Sequence, residues 1–182
     1  MTAAVICSSG CSLESKYDCE FFAMDTVMTI NAYGSKSESA VKAAQNEINR
    51  LDKLLSVQNE NSEIFKLNQS KKMTVSEDTL TLITRSKEIY TLTDGAFDIS
   101  CEPLIREWGF YSGLENKVPS QKAIETALEG VGAEHIKIKD STVTLDDNTS
   151  LDLGGIAKGY ASHKAAEILK ENGVTSALMS LG

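Results

Sequence analysis

The sequence predicts an α+β fold, a mixed sheet with packed helices, and three observations predict it. Apolar residues switch repeatedly between a two-residue and a 3.6-residue period along the chain. Serine starts and glycine stops punctuate the helical stretches. No internal repeat, low-complexity run or Pro-rich linker divides the 182 residues, which suits one domain or part of a larger one.

The elements follow in order. "FFAMDTVMTINAY", rich in β-branched and aromatic residues, reads as a strand or hairpin arm. From Ser37 to Ser56, Val41, Ala44, Ile48, Leu51 and Leu55 recur at helical spacing with charges opposite, which predicts an amphipathic helix. A second helix is expected over "SEDTLTLITRSKEIYTLTDG", with Ser76 as cap, Leu80, Ile83 and Tyr90 on one side, and Gly95 just past its end. Ser120 caps a shorter one that stops at Gly130. "HIKIKDSTVTLDDNTSLDL" alternates through two polar turns and predicts a β-meander. Lys158 to Asn172 reads as the last helix, stopped by Gly173, and the apolar "VTSALMSL" as a last strand.

Composition narrows the function classes. With 18 Lys and Arg against 26 Asp and Glu the net charge is −8, and no basic run is present, so nucleic acid is not an expected partner. No window approaches the roughly 20 apolar residues of a membrane helix. Cys7, Cys11, Cys19 and Cys101 lack paired metal-ligand spacing, although a disulfide between two of them is compatible with the sequence. "AAVICSSGCS" is like the end of a bacterial lipoprotein signal with Cys11 as the lipidated residue. Ser8 stands where such signals usually carry Leu, and no basic segment or long apolar core precedes it. Two readings of residues 1–19 therefore stand side by side, a lipoprotein-like signal remnant and an ordinary disordered terminus. The first would place the protein on the extracytoplasmic face of a bacterial membrane, touching lipid only through Cys11.

Two stretches carry chemistry. In "LDLGGIAKGY", glycines at 154 and 155 let backbone approach a ligand closely, and a following helix N-terminus favours negative charge, so phosphate is the natural ligand. The spacing is neither GxxxxGK[ST] nor GxGxxG, and a tight strand-to-helix turn with a surface lysine is the competing reading. Asp152, at the mouth of this turn, is expected to serve ligand rather than fold. "TDGAFDISCEPLIREWGF" gathers Phe97, Asp98, Pro103, Trp108 and Phe110 in a segment too irregular for one element. Flat apolar faces there suit a planar ligand, while core packing is the simpler reading for Trp108 and Phe110 taken singly.

Taken together, "FAMDTVMTI", "LLSVQNENSEIFKLN", "DGAFDISCEPLIREWGF", "LDLGGIAKGYASHKAAEIL" and "GVTSALMSLG" resemble the ApbE family of flavin transferases, from about Phe21 to Gly182. The resemblance implies an ApbE/T-fold-like domain over residues 20–182. It implies FAD as donor, magnesium as the required metal, and transfer of the FMN portion through a phosphoester onto a threonine hydroxyl of an acceptor protein. It also implies that Met24, Ala96, Phe97 and Asp98 contact the flavin nucleotide, that Asp152 and Lys158 contact FAD, and that the Gly155 carbonyl binds magnesium. It assigns no catalytic base. The sequence departs from the family at Gln58, where an aromatic is common, and at His163, where an aspartate is common. Gln58 is expected in a solvated loop and His163 at solvent or a helix contact. Family members continue past the terminal "LG" to an "HIIDP"-type segment and the Asp and Thr that complete the metal site. The expectation is therefore the N-terminal part of a longer enzyme, inactive in isolation. A non-catalytic flavin-binding or surface-anchored interaction module is the alternative.

Overall fold

In a computed structural model, which describes residues 15–111 and 113–182, the chain forms two small antiparallel sheets with helices packed on them. Cys7, Cys11 and the lipoprotein-like segment lie outside the described residues. Cys19 and Cys101 are free thiols, and no helix among the described residues is long and apolar enough to cross a membrane.

The first sheet begins with β1 (Lys16–Ala23) and β2 (Thr26–Tyr33), paired in antiparallel register from Lys16–Tyr33 to Ala23–Thr26. Strand β1 thus starts inside the 1–19 segment set apart on sequence, because Tyr17, Cys19 and Phe21 alternate onto the core with the rest of the strand. Met24 and Asp25 make the two-residue turn, both at positive φ (49° and 58°), as a type I′ turn requires. Met28, Ile30 and Ala32 point inward and are buried. Strand β6 (Ser176–Ser180) pairs with β2 on its other side.

Helix α1 (Ser37–Leu55) buries the expected stripe of Val41, Ala44, Ile48, Leu51 and Leu55. It packs against α6 (Gly154–Glu171), whose Ala157, Ala161, Ala165 and Leu169 are buried. Alanines recurring every four residues let the two backbones approach closely. The last helix thus begins four residues before the predicted Lys158, so Gly154 and Gly155 are its first turn and not a loop before it. His163 is exposed on it and pairs with Glu167, as expected of a solvent-facing residue. Tyr160 donates to Asp78 (2.6 Å), which also accepts from Arg50, so one carboxylate ties α1 and α6 to α3 (Glu77–Leu92). Those two donors outweigh the burial that would raise the Asp78 pKa, and hold it below its usual value.

Ser76 caps α3 as predicted, accepting from the Thr79 amide. Its buried face is Thr79, Leu82, Ile83 and Ser86, which leaves Leu80 and Tyr90 only partly covered. Two short helices escape the sequence reading: α2 (Glu63–Ser70) and α4 (Glu102–Glu107). The first carries a signal, since Ser62 caps it at Phe65 (2.9 Å) and Ile64 and Leu67 face the core. Ser120 caps α5 (Gln121–Leu128).

The second sheet corrects the predicted meander. Strands β4 (Ile136–Lys139) and β5 (Thr142–Leu145) form a hairpin, but the third strand is β3 (Lys72–Thr74), on the other side of β5. The chain from Ser150 to Leu153 is not part of that sheet, because its backbone groups are taken elsewhere. Asn68 donates to the Leu151 carbonyl (2.9 Å) and accepts from its amide (2.8 Å), the Asp152 amide bonds the Ile99 carbonyl (2.8 Å), and Ser150 bridges Cys101. Lys71, in the left-handed region at the end of α2, donates to the Thr149 carbonyl (2.8 Å). Helix α2 therefore delivers the strand-like approach to α6 through side chains.

Candidate functional site

That approach opens onto a cleft of about 190 Å³. Its walls come from four distant parts of the chain: the Met24–Asp25 turn, the end of α1 with Ser56 to Gln58, Tyr111, and Asp152 with the start of α6. Gly154, Ala157 and Lys158 share one face of α6, at i, i+3 and i+4 spacing, and that face lines the cleft. Met24, in a left-handed conformation that costs a non-glycine residue roughly 1–2 kcal/mol, is the kind of strained residue that clusters at binding sites.

Asp152 is the hub. One carboxylate oxygen accepts from the Tyr111 hydroxyl (2.7 Å) and the other from the Gly154 amide (2.6 Å). It thus fastens the N-terminus of α6 and serves the fold as well as the cleft, a duty invisible from its place beside two glycines. A carboxylate there also occupies part of the positive helix end on which the sequence reading places the anion. Burial, reinforced by the adjacent Asp152 charge, pushes the Tyr111 pKa far up, so its hydroxyl stays protonated and donates. Asp52, at the last turn of α1, has its pKa raised by burial, an effect that the Met24 amide partly offsets and the Asp25 charge augments.

The cleft's electrostatics are lopsided. Asp25, Asp52 and Asp152 line it, and Lys158 is the one Lys or Arg among the described residues that do. An anionic ligand therefore depends on Lys158. Met24, Leu55, Val57 and Ala157 supply apolar surface, and Tyr111 is the aromatic ring among the described lining residues.

The residues expected on sequence divide accordingly. Met24, Asp152 and Lys158 meet at this cleft. Phe97 packs against the first turn of α6, where a Cβ on Gly155 would lie 3.1 Å from its ring; the missing side chain at 155 is what admits the ring. Asp98 and Ala96 do not line the cleft: Asp98 Oδ1 accepts from the Ser100 amide (2.8 Å) and hydroxyl (2.6 Å), and Ala96 is exposed. Gln58 is exposed at the cleft wall. Trp108 and Phe110 stack on each other (centroids 6.2 Å, interplanar angle 12°), and Phe110 is 64% exposed rather than in the core. No motif or periodicity in the sequence points to Tyr111 or Asn68 as site residues. Tyr111 follows an irregular aromatic run, and Asn68 carries one signal, a polar residue at helical spacing from Ile64 beside Leu67.

The family model for ApbE matches residues 24–182. The chain belongs to the ApbE family. A FAD:protein FMN transferase of Vibrio cholerae is 31% identical over 152 residues, covering 78% of this chain and 45% of that protein. One of Escherichia coli K12 is 29% identical over 159 residues, covering 81% and 44%. Among solved structures, the ApbE protein of Thermotoga maritima superposes with a TM-score of 0.84 at 30% identity, over 91% of this chain and 56% of that one. The Pseudomonas stutzeri flavinyl transferase ApbE gives 0.85 at 25% identity, over 92% and 59%. The chain thus spans a little under half the length of the curated relatives it matches, and its α+β architecture is that of the solved ApbE structures.

The cleft's chemistry fits part of a dinucleotide: apolar surface and a ring for a planar group, one lysine for a phosphate. Magnesium is fitted less well. Among the described residues no three His, Cys, Asp or Glu side chains converge, and Asp152 is already bonded to Tyr111 and Gly154. The Gly155 carbonyl, with a second lone pair beyond its helical bond, offers one oxygen of the roughly six a magnesium ion takes. These residues alone do not make a complete magnesium site.

Proposed function

We infer that this ApbE-family chain supplies the donor site of a flavin transferase that moves FMN from FAD to a threonine hydroxyl of an acceptor protein. The observation that carries the reading is the meeting of Met24, Asp152 and Lys158, far apart in sequence, at one cleft. In the reaction the acceptor oxygen attacks the FMN phosphorus, the bond from that phosphorus to the bridging oxygen breaks, AMP leaves with that oxygen, and the hydroxyl proton is released. Such a step depends mostly on positioning and on compensating charge. Lys158 faces the pyrophosphate, Asp152 fixes the helix end on which it is presented, and Met24 with its apolar neighbours excludes water from the flavin side. Phe97, from the segment after α3, supports the first turn of the helix that presents Lys158. The Gly155 carbonyl would supply one oxygen to a magnesium ion, whose chemistry there would be to offset charge on the pyrophosphate.

The test is incubation of the 182-residue chain with FAD, magnesium and an acceptor protein, followed by a search for flavin fluorescence on the acceptor in a denaturing gel. The expected result is FAD binding without acceptor labelling, because one backbone oxygen holds magnesium weakly. A chain extended to the length of its relatives is expected to label the acceptor. Failure of the extended protein to do so, with FAD bound, would favour a flavin-binding module without chemistry.

A further inference from the structure

We propose that Tyr111 is the recognition platform of the cleft, the flat surface on which the isoalloxazine ring of the flavin stacks. This rests on the reading of the cleft as the FAD site. The ring is held at its hydroxyl and over one face, which leaves the other face for a ligand. Its hydroxyl donates to Asp152 (2.7 Å), and the Arg106 guanidinium lies over it, 5.7 Å from the centroid, within reach of a cation–π contact. Arg106 is in turn held by Glu102, whose carboxylate oxygen accepts from Nε (2.9 Å) and Nη2 and whose side chain is buried. A buried carboxylate thus sets a guanidinium, the guanidinium sets a ring, and the ring lines the cleft. Preorganisation of this kind spares the ligand the entropy of ordering the side chain that receives it.

Size limits the cleft to one portion of FAD, and the lining favours the flavin ring. A cleft of about 190 Å³ is smaller than the roughly 300–1,000 Å³ of a site for a drug-sized ligand, so it takes one portion of the dinucleotide. Met24, Leu55, Val57 and Ala157 give it an apolar wall beside Tyr111, which suits a large, mostly apolar ring system. Lys158 stands at the same cleft for the phosphate that follows the ring.

The test titrates the 182-residue chain with FAD, with riboflavin, which carries the ring alone, and with ADP, which carries adenine and diphosphate. A stacked phenol quenches flavin emission, so riboflavin should bind with its fluorescence lowered. Tyr111→Leu should weaken riboflavin about five- to tenfold, the worth of one aromatic pair, and ADP by much less, with a lower thermal midpoint because Asp152 loses the phenol hydrogen bond. Tyr111→Phe, which keeps the face but loses the phenol, should bind riboflavin within about twofold of wild type with less quenching. Riboflavin affinity unchanged in Tyr111→Leu, beside a wild-type chain that binds FAD, would overturn this inference and spare the reading of the cleft. An equal loss of ADP affinity would also overturn it, by showing that the ring shapes the site without selecting the flavin. A wild-type chain that binds neither FAD nor riboflavin would overturn both.

Discussion

Asn68→Ala is expected to lower the thermal midpoint by roughly 5–15 °C, the largest loss anticipated for any single polar side chain here. The side chain is 8% exposed and satisfies both the amide and the carbonyl of Leu151, itself completely buried. Removing it strands two buried backbone groups at once, at about 1–3 kcal/mol each, and no water reaches them easily. The change should also loosen the approach to α6 and weaken FAD binding, since Leu151 immediately precedes Asp152. Thermal unfolding of Asn68→Ala beside Gln69→Ala, an exposed neighbour on the same helix, checks it. Equal midpoints for the two variants would mean that the backbone around Leu151 is held by something else.

Lys158→Ala is expected to weaken FAD about ten- to a hundredfold with little change in thermal midpoint. The lysine faces a cleft lined by Asp25, Asp52 and Asp152, and a charge-assisted contact to phosphate contributes about 1.5–3 kcal/mol. Its loss leaves an anionic ligand among carboxylates alone. Wild-type affinity should therefore fall with ionic strength more steeply than that of the variant. Fluorescence titration with FAD at two salt concentrations measures both effects. Riboflavin, which has no phosphate, should bind the two proteins alike; an equal loss for riboflavin would show that Lys158 supports the shape of the cleft and not the charge of its ligand.

How much of this was legible depends on how local each cause is. Helix α1, helix α3 and the first hairpin could be read because their signals lie within themselves: a stripe from Val41 to Leu55, a serine cap at 76, alternation through Met28 and Ile30. Met24, Asp152 and Lys158 are singled out by the family resemblance, and the fold brings them together at one cleft. The start of α6 was misplaced because Gly154 and Gly155 weaken a helix locally, whereas the Asp152 carboxylate and the packing of Ala157 and Ala161 on α1 extend it through them. The third strand of the second sheet was misassigned for a related reason. The alternation of Ser150 to Leu153 is real, but its hydrogen bonds run to Asn68, 83 residues away, and to Ile99. Tyr111 is not legible because its path is set by Gly109, at φ 74° in a loop that folds back on Glu115, and no periodicity marks such a bend.

Hydrogen exchange of the 182-residue chain with and without FAD tests the central claim most directly, because it reports where the ligand lies without requiring turnover. The account predicts that FAD slows exchange in peptides covering Met24–Asp25, the residues after Leu55, and Asp152 to Lys158, with exchange in the β4–β5 hairpin unchanged. Protection confined to other segments, or none at FAD concentrations that saturate binding, would contradict it.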